Sequence, residues 1–382
     1  MQKPLRILQL GRFDFSEEKG GVQFYAESLF QFSPKEVVID QLVSARGPKT
    51  KVQALGNRLK VSVATYGTWL SVPFSPLIFF WVWRLVWSRN YDLIHLNFPD
   101  PLGMLATWFL PKKIPRVVTW HSDVIRQKKA LRWYMPMVQA YMQKVSKILV
   151  ATPMHLSSCP QLKSLKMDPK IQVIEFGLDP SKWDLSPANQ ASVQALRRQY
   201  PQKLLLFTFG RHVYYKGYEY LIESLKDLKN VHLWLGGSGP LTEALKDQAE
   251  KQNVNDKITF LGKIPDEDIP IFLHACDIFC FPSVDTSEAF GYAQLEAMMC
   301  GKPVISGDLK NGVNYVNING ETGLAVPPRD AKALAAAIQK LQADPELRDK
   351  LGKSAKVRAN ELFTVQRMVE KTLKAFEKLK SE

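Results

Sequence analysis

Residues 278 to 308 have the sequence IFCFPSVDTSEAFGYAQLEAMMCGKPVISGD. Two short apolar runs, IFCFPS and KPVISGD, flank a segment of helical length, AFGYAQLEAMMCG. Short apolar runs that alternate with helix-length segments predict strands joined by crossover helices. A strand, a helix and a second strand in this order form a parallel βαβ unit, so this stretch predicts an α/β fold.

The same alternation extends along both halves of the chain. Strand-like runs include RILQLG, KVSVATYG, DLIHLN, RVVTWHS and KILVATP in the first half, and LLLFTFGR, VHLWLGG and KITFLGK in the second. They predict two Rossmann-like, doubly wound domains, residues 1–185 and 186–364, with a linker at about residues 178–202 and a final basic amphipathic helix over 365–382. Ligands of such sheets bind beyond the carboxyl ends of the strands, so two facing domains are expected to enclose a deep interdomain cleft.

Composition narrows the class of protein. Of the 382 residues, 46% are hydrophobic and 23% charged, as in ordinary globular proteins, which excludes a disordered or coiled-coil chain. The formal net charge is +14, and residues 1–184 carry +12 of it together with eight of the nine Trp. A basic and aromatic first half suits an anionic membrane surface, a phosphate-bearing ligand or nucleic acid.

One apolar stretch raises the question of membrane contact. Residues 61 to 83 carry no charge, but glycine and proline interrupt them before they reach the length of a transmembrane helix. Residues 77–90, LIFFWVWRLVWSRN, predict a helix that either packs in the core or also touches the membrane interface, where Trp and Arg are typical. The residues that favour membrane contact are Trp81, Trp83, Arg84, Trp87 and Arg89.

The cysteines and the N-terminus predict the compartment. Cys159, Cys276, Cys280 and Cys300 include no C-x-x-C pair, and three of them lie in apolar runs, so free thiols in a reducing compartment are expected. The N-terminal MQKPLRILQLGRF develops no apolar core of a signal peptide. We therefore expect a cytoplasmic protein, either free or peripheral at the cytoplasmic face of the inner membrane.

Two glutamates follow the strand in the opening stretch. If a helix begins near Gly291, the amides of Phe290, Gly291 and Tyr292 face the strand ends, where an anion is favoured. Glu296 would then lie about 7 Å along the helix, with Glu288 on the preceding loop. The two carboxylates would flank a phosphate site and bind sugar and ribose hydroxyls; alternatively, both are solvent-facing helix acids.

Other candidates also lie at strand ends. Arg211 and Lys216, on the loop after LLLFTF, offer two positive charges to a diphosphate, although basic loop residues are usually solvated. Glycine-rich loops at Gly20-Gly21 and at residues 236–240, which include Gly237, allow a close backbone approach to a ligand or form simple turns. His121 follows the strand RVVTW and is either a functional residue or a hydrogen-bonded core residue.

Together these motifs resemble a known family. The run FPSVDTSEAFGYAQLEAMMCGKPVI resembles the E-x7-E motif of retaining glycosyltransferases of family 4, the glycosyl transferases group 1, which have the GT-B fold. The segments KGGVQFYAESL, GRHVYYKGYEYLIES, LGGSGPL, ITFLGKIPDEDIPIFLHACDIFCFPS and NGETGLAVPPRD resemble the same family in the expected order. The similarity covers nearly the whole chain and is strongest in the second half.

The resemblance implies an enzyme that moves a hexose from a nucleoside-diphosphate sugar to a hydroxyl of a glycan or lipid-linked acceptor. The first domain would bind the acceptor and the second the donor, and the last helix would cross back to the first domain. Cell-surface polysaccharide or lipopolysaccharide synthesis is the expected process. UDP- and GDP-sugars are equally compatible with the residues, and the overall similarity favours a mannosyl-type enzyme.

The resemblance also assigns roles to the donor-site residues. Arg211 and Lys216 would bind the diphosphate and Glu296 the ribose, while Glu288 would hold the sugar hydroxyls. The backbone of Ala289, Phe290, Gly291 and Tyr292 would support sugar and phosphate.

In the first domain, Gly20 and Gly21 would let a loop approach the diphosphate, and His121 would face the donor sugar near the reacting carbon. The residues expected to be catalytic are His121, Arg211, Lys216 and Glu288.

Front-face attack with retention of configuration is implied as well. Because Arg211, Lys216 and a helix N-terminus can neutralise the leaving nucleotide, we expect no metal or other cofactor. The D-x-D triplet Asp266–Asp268 precedes a predicted helix, where acids serve as caps. Asn314 stands where the family usually has Pro, which leaves the local loop shape open.

Two alternatives remain at this point. One is a nucleotide-sugar epimerase or hydrolase of the same fold. The other is a non-catalytic membrane- or nucleic-acid-binding protein that uses the positive charge alone; we expect no nucleic-acid partner. Only the enzyme hypotheses require Glu288 and Glu296.

Overall fold

The computed structural model describes residues 3–18, 20–69, 72–123, 128–165 and 167–381. The chain forms two compact units, one of residues 1–177 and 365–382 and one of residues 178–364. Each unit contains a mainly parallel sheet covered by helices, as the alternating pattern predicts.

The first unit contains an eight-stranded sheet. Its strands, with a separate two-stranded ribbon of β5 and β6, are β1 (Leu5–Phe13), β2 (Val37–Ser44), β3 (Lys51–Leu55), β4 (Arg58–Val63), β5 (Thr68–Trp69), β6 (Val72–Pro73), β7 (Leu93–Phe98), β8 (Arg116–Trp120), β9 (Lys147–Val150) and β10 (Ile171–Val173). The helices between them are α1 (Gly21–Phe32), α2 (Leu77–Arg89), α3 (Pro101–Trp108), α4 (Lys128–Lys144) and α5 (Pro153–Ser158). The strand order is β10-β9-β8-β7-β1-β2-β4-β3, parallel except for the pairing of β3 with β4.

This strand order places the helices on two faces. The chain moves from β1 to β2 in one direction and from β4 through β7 and β8 to β9 in the other. Parallel crossovers are right-handed, so α1 covers one face and α2, α3 and α4 cover the opposite face. The last three helices accordingly pack on one hydrophobic core.

The second unit contains a six-stranded parallel sheet of order β13-β12-β11-β14-β15-β16. The strands are β11 (Leu204–Phe209), β12 (Val231–Gly236), β13 (Ile258–Gly262), β14 (Ile278–Phe281), β15 (Val304–Gly307) and β16 (Gly323–Val326). The helices are α6 (Pro187–Arg198), α7 (Tyr218–Ser224), α8 (Thr242–Lys251), α9 (Ile269–Ala275), α10 (Tyr292–Met299), α11 (Gly312–Val316), α12 (Ala331–Ala343) and α13 (Pro345–Leu362). The strand order reverses between β11 and β14, and ligands of doubly wound sheets bind at such a switch point.

The prediction of a linker at residues 178–202 is wrong. Residues 178–202 belong to the second unit and contain α6, which packs on α9. Arg197 of α6 donates hydrogen bonds to the Ala275 carbonyl, at 2.5 Å, and to Asp277, at 3.0 Å. Three prolines suggested a linker, but Pro187 occupies the first turn of a helix capped by Ser186, where proline is favoured.

The last helix, α14 (Val365–Ser381), belongs to the first unit. It packs on α1, and the ring of Phe376 lies 5.2 Å from that of His95. Lys371 pairs with Glu175 at 2.6 Å. Its apolar side therefore completes the core on the α1 face of the sheet.

The apolar segment after Pro76 is a helix, as predicted. Ile78, Val82 and Leu85 of α2 are buried in the core beneath it. Among the residues that the structure describes, no helix has both the length and the apolar character needed to cross a bilayer.

Candidate active site

Helix α10 begins where the sequence predicts. Gly291 is its N-cap residue, with φ of 83°. A Cβ at this position would lie 2.7 Å from Cζ of Phe281, so both the backbone conformation and the space favour glycine. The loop before it, from Glu288 to Phe290, is thereby held against the end of β14.

Glu288 is fixed by three neighbours. Its Oε2 accepts hydrogen bonds from Nζ of Lys216, at 2.5 Å, and from Oγ of Ser283, at 3.3 Å. Its backbone carbonyl accepts from Nδ2 of Asn311 at 2.7 Å. The side chains of Glu288 and Lys216 are each only 13% exposed, so the alternative of a solvent-facing helix acid is wrong for Glu288.

Lys216 reaches this carboxylate from the loop after β11. Burial lowers its pKa, but the charge and hydrogen bond of Glu288 together with the effects of Tyr218 and Tyr215 outweigh burial, and the pKa is raised above its ordinary value. The ammonium group also lies 4.9 Å from the centre of the Phe281 ring. Lys216 therefore stays cationic, and only one of its three N–H groups is used by Glu288.

Arg211 lies on the same loop and is exposed. It forms no ion pair with the residues that the structure describes. Burial and the charge of Glu288 raise the pKa of Tyr215, and the positive charges of Lys216 and Arg211 offset only part of that rise. The switch point thus holds one fixed and one exposed cation, a combination suited to a diphosphate.

Glu296 lies on α10, one turn beyond its start. Its side chain is partly buried, and its enclosed Oε2 makes no hydrogen bond to the described residues. Burial and, to a lesser extent, nearby Asp266 raise its pKa while Lys216 lowers it, and together they bring the pKa to about 8. At neutral pH the carboxyl group is therefore mostly protonated, and its Oε2 is available to a polar ligand.

Gly237 has a packing role beside any role toward a ligand. Its φ is 105°, and a Cβ would collide with the backbone of Gly210. The loops after β11 and β12 are joined there by hydrogen bonds from Gly210 N to Gly236 O and from His212 N to Ser238 O. Glycine at 237 thus brings the two strand ends together at the switch point.

In the first unit, Gly20 and Gly21 mark the start of α1. Gly20 is the N-cap residue, in extended conformation and without a side-chain cap, and both glycines are exposed. Lys19 of the same motif lies outside the described residues. The N-terminus of α1 therefore presents accessible backbone beyond the end of β1.

His121 is a buried residue that directly follows β8. Its Nε2 lies 3.0 Å from Oδ1 of Asn97, and the rings of Tyr25 and Phe176 lie 5.0 and 5.1 Å from its own. Burial lowers its pKa well below the usual value, and His95 adds to this effect. The imidazole is therefore neutral.

The hydrogen bonds of Asn97 define the tautomer of His121. Nδ2 of Asn97 donates to the Leu10 carbonyl at 3.0 Å, so its oxygen faces His121. An amide oxygen only accepts, which places the imidazole hydrogen on Nε2 and leaves Nδ1 as the accepting nitrogen. His121 can thus accept a hydrogen bond from a hydroxyl but is not an acid.

Family comparisons give this site a context. The description "Glycosyl transferases group 1" matches residues 193–358, and "Glycosyltransferase Family 4" matches residues 20–182. A D-rhamnosyltransferase of Pseudomonas aeruginosa is 31% identical over 94% of this chain and 92% of its own length. The chain is a group 1 glycosyltransferase. O-antigen chain mannosyltransferase C of Escherichia coli is 30% identical to it over 74% of each protein.

Solved structures confirm the predicted GT-B fold of the transferase. Sucrose-phosphate synthase from Thermosynechococcus elongatus superposes with a TM-score of 0.81 at 22% identity, over 99% of each chain. Anabaena HepE in complex with UDP-glucose gives 0.74 at 19% identity, over 98% of this chain and all of that one. The predicted enzyme class, a glycosyltransferase, is confirmed with the fold.

Several residues that the sequence analysis missed form hydrogen bonds that position the predicted site residues of the transferase. Ser283, Asn311, His212 and Asn97 each bond to a predicted site residue or its loop. Ser283 and Asn97 were detectable as polar residues at the ends of apolar strands, and Asn311 as a helix N-cap before Gly312. His212 carried no such signal, because its bonds to Thr242 and Gly236 join distant parts of the chain.

Asn314 resolves the loop shape that the sequence left open. It lies in α11, where its Oδ1 accepts from Lys310 N at 2.8 Å and its Nδ2 donates to the Gly307 carbonyl at 3.1 Å. The side chain thus fastens the turn after β15 in a transferase that lacks the usual proline.

The Asp266–Asp268 triplet differs in detail from the prediction. Asp268 occupies the N-cap position of α9, but its side chain makes no capping hydrogen bond. Within the described part of the transferase, no group of three His, Cys, Asp or Glu side chains is placed to hold a metal ion.

Proposed function

We propose that this transferase moves mannose, or its 6-deoxy form D-rhamnose, from a nucleoside-diphosphate sugar to a glycan or lipid-linked acceptor during cell-surface polysaccharide synthesis. The choice of sugar is supported by the two relatives, which are named a D-rhamnosyltransferase and an O-antigen mannosyltransferase. Both sugars share the manno configuration and differ only at carbon 6. A pocket for one can therefore accept the other when it does not depend on the 6-hydroxyl.

The observation that carries the proposal is the Lys216–Glu288 pair at the switch point of the second sheet. Glu288 keeps Lys216 charged and in place, and the two unused N–H groups of Lys216 can bind the donor diphosphate. Exposed Arg211 supplies a second cation. Charge that develops on the departing nucleotide would then be stabilised by groups that are already in position.

Around the sugar, Glu288 and the backbone before α10 would accept and donate hydrogen bonds to hydroxyls. Glu296 would bind the ribose through its enclosed Oε2. Nδ1 of His121 would accept a hydrogen bond from a hydroxyl group. Attack of the acceptor hydroxyl on the same face as the departing diphosphate would retain the anomeric configuration, and these side chains would assist it without a metal ion.

A donor panel tests the proposal. Purified protein is incubated with GDP-mannose, GDP-D-rhamnose and UDP-glucose, each with and without a mannose-terminated lipid-linked oligosaccharide, and nucleotide release and product linkage are measured. We expect acceptor-dependent release of GDP and an α-linked product from α-linked donors. Lys216→Ala should lower transfer by about 10² to 10³, while Lys332→Ala, which changes an exposed lysine of the same unit, should leave it unchanged.

Other outcomes would contradict the proposal in distinct ways. Nucleotide release that ignores the acceptor would indicate a hydrolase, and a changed sugar without transfer would indicate an epimerase. Use of UDP-glucose alone would overturn the manno-sugar assignment and keep the transfer reaction. A β-linked product would overturn retention.

A further inference from the structure

One face of the first unit exposes an unusual number of large apolar side chains. This face is formed by α2, α3 and α4, which the strand order places together. Its exposed apolar residues are Leu77, Phe79, Phe80, Trp83, Trp87, Phe109, Trp133 and Met137. We refer to these residues, with the exposed cations named below, as the aromatic-basic face.

Helix α2 is apolar on both sides. Its inner residues pack in the core, whereas Phe80, Trp83 and Trp87 follow the i, i+3, i+7 spacing of one outer stripe. Trp83 and Trp87 are 53% and 61% exposed, and their rings lie 5.9 Å apart. The outer side of a surface helix is normally polar, so a contiguous aromatic stripe indicates a surface that something apolar covers.

Helix α4 adds a second exposed aromatic residue with cations beside it. Trp133 is 82% exposed, and Met137 lies one turn further along the same side. Arg132 and Lys144 are exposed on this helix, and Lys112 and Lys113 follow α3. Arg84 supplies a cation on α2.

The charge of this region is one-sided. Residues 77–147 contain eleven Lys and Arg but only three carboxylates, which are Asp92, Asp100 and Asp123. Asp100 is buried as the N-cap of α3, Asp123 accepts from Trp120 and Cys159, and Asp92 pairs with Lys380. The exposed charges on this face are therefore positive.

The two units also differ in net charge. The residues of the first unit have 29 basic and 14 acidic side chains, a net charge of +15, whereas those of the second have 22 and 23, a net charge of −1. The positive charge of the whole protein belongs to the unit with the aromatic stripe. An extended anionic surface would thus be attracted mainly to this unit.

Two residues that favoured membrane contact in the sequence have other roles. Arg89 pairs through Nε with buried Asp40 at 2.6 Å and donates to the Asn57 carbonyl. Trp81 packs against the core. The residues available for membrane contact are therefore those of the outer stripe of α2 and those exposed on α4.

We propose that the aromatic-basic face docks on an anionic lipid bilayer. Trp and Phe side chains enter the interface at the depth of the lipid headgroups, and the surrounding Lys and Arg contact lipid phosphates. The partner follows from the pairing of exposed aromatic rings with unopposed positive charge. The inference is independent of which sugar the enzyme transfers.

Vesicle sedimentation tests this docking. The full-length protein is mixed with two kinds of vesicle, one of phosphatidylcholine alone and one of phosphatidylcholine in which about one lipid in three is the anionic phosphatidylglycerol. Each mixture is tested at two salt concentrations. We expect binding to the anionic vesicles, weakened by salt, and little binding to neutral ones. Tryptophan fluorescence should shift to shorter wavelength on binding because exposed indoles enter the interface.

Matched variants locate the surface. Trp83→Ser with Trp87→Ser should weaken vesicle binding about tenfold or more. Lys112→Gln with Lys113→Gln should weaken it about fivefold per cation. Control variants of exposed residues in the second unit, Val357→Ser and Lys332→Gln with Lys340→Gln, should bind as the wild type does. Equal melting temperatures would show that each variant is folded.

Several results would overturn the proposal. Equal binding to both vesicle types, or binding to neither, contradicts an anionic bilayer as partner. An equal loss of binding in the control variants contradicts this face as the docking surface. Self-association that disappears in the Trp83→Ser, Trp87→Ser variant, without vesicle binding, would identify a second copy of the chain as the partner instead.

Discussion

Each unit contains a lysine that is largely buried against carboxylates, and the two lysines have different surroundings. In the first unit, Lys60 pairs with Asp14 at 3.1 Å and with Glu27 at 3.3 Å. In the second, the one carboxylate that pairs with Lys216 among the described residues is that of Glu288. Lys60 is 12% exposed and Lys216 13%, so burial does not distinguish them.

Position in the sheet does distinguish them. Lys60 lies within strand β4, where it joins the sheet to α1 through Glu27. Lys216 lies on a loop beyond the carboxyl end of β11, beside the point where the strand order reverses. Two carboxylates pair with the first lysine, whereas one pairs with the second, which leaves N–H groups that we propose bind a ligand. We therefore expect the ion pair of Lys60 to serve stability and that of Lys216 to serve chemistry.

The largest expected effect tests the chemical half of this comparison. Lys216→Ala removes the cation that we propose binds the leaving diphosphate, so kcat/KM should fall by about 10² to 10³. Steady-state nucleotide release measures it. The protein should remain folded, as judged by circular dichroism, since the loop is anchored by other bonds. A loss of less than about fivefold would place Lys216 with Lys60 as a structural lysine.

The next effect tests the structural half. Lys60→Ala leaves Asp14 and Glu27 without their shared cation, so the free energy of unfolding should fall by about 3 kcal/mol. Urea denaturation followed by fluorescence measures the change. Lys51→Ala is a suitable control, because Lys51 pairs with Glu17 while 63% exposed and should change stability little. A large loss of kcat in folded Lys60→Ala would contradict the division of roles.

A smaller effect is expected at His121, a neutral side chain of the first unit. Asn97→Asp replaces the amide beside Nε2 of His121 with a carboxylate, which raises the pKa of His121 and removes the donor to Leu10 O. We expect kcat to fall about tenfold to a hundredfold, more steeply at low pH, as His121 becomes cationic. A pH profile of kcat measures this. If only KM changes, at every pH alike, Asn97 does not position His121 for the reaction.

Sequence patterns predicted much of the fold and part of the site. The α/β alternation, the start of α10 at Gly291 and the E-x7-E spacing all depend on residues close together in the chain. The Lys216–Glu288 pair joins residues 72 positions apart, and the sequence analysis placed both near a phosphate without pairing them. The role of Arg89 was hidden in the same way, because Arg89 ends helix α2 and its partner Asp40 lies on the distant strand β2. The prolines of α6 misled the prediction of a linker, since proline favours both loops and helix starts.

The smallest expected effect concerns Glu296, which unlike Glu288 forms no ion pair with a described residue. Burial raises its pKa from 4.5 to about 8, so the folded protein holds a proton there that the unfolded chain has released. The folded state then binds more protons between these values, and stability falls as pH rises from about 5 to 8.

Glu296→Gln keeps the shape of the protonated acid but cannot ionise. Its melting temperature should therefore decline less over this range, by a few degrees, as measured by calorimetry. Glu346→Gln, which changes an acid in the first turn of α13, should keep the wild-type slope. Identical slopes for the wild type and Glu296→Gln would mean that Glu296 is already ionised at neutral pH, and that its charge, like that of Glu288, is compensated by its surroundings.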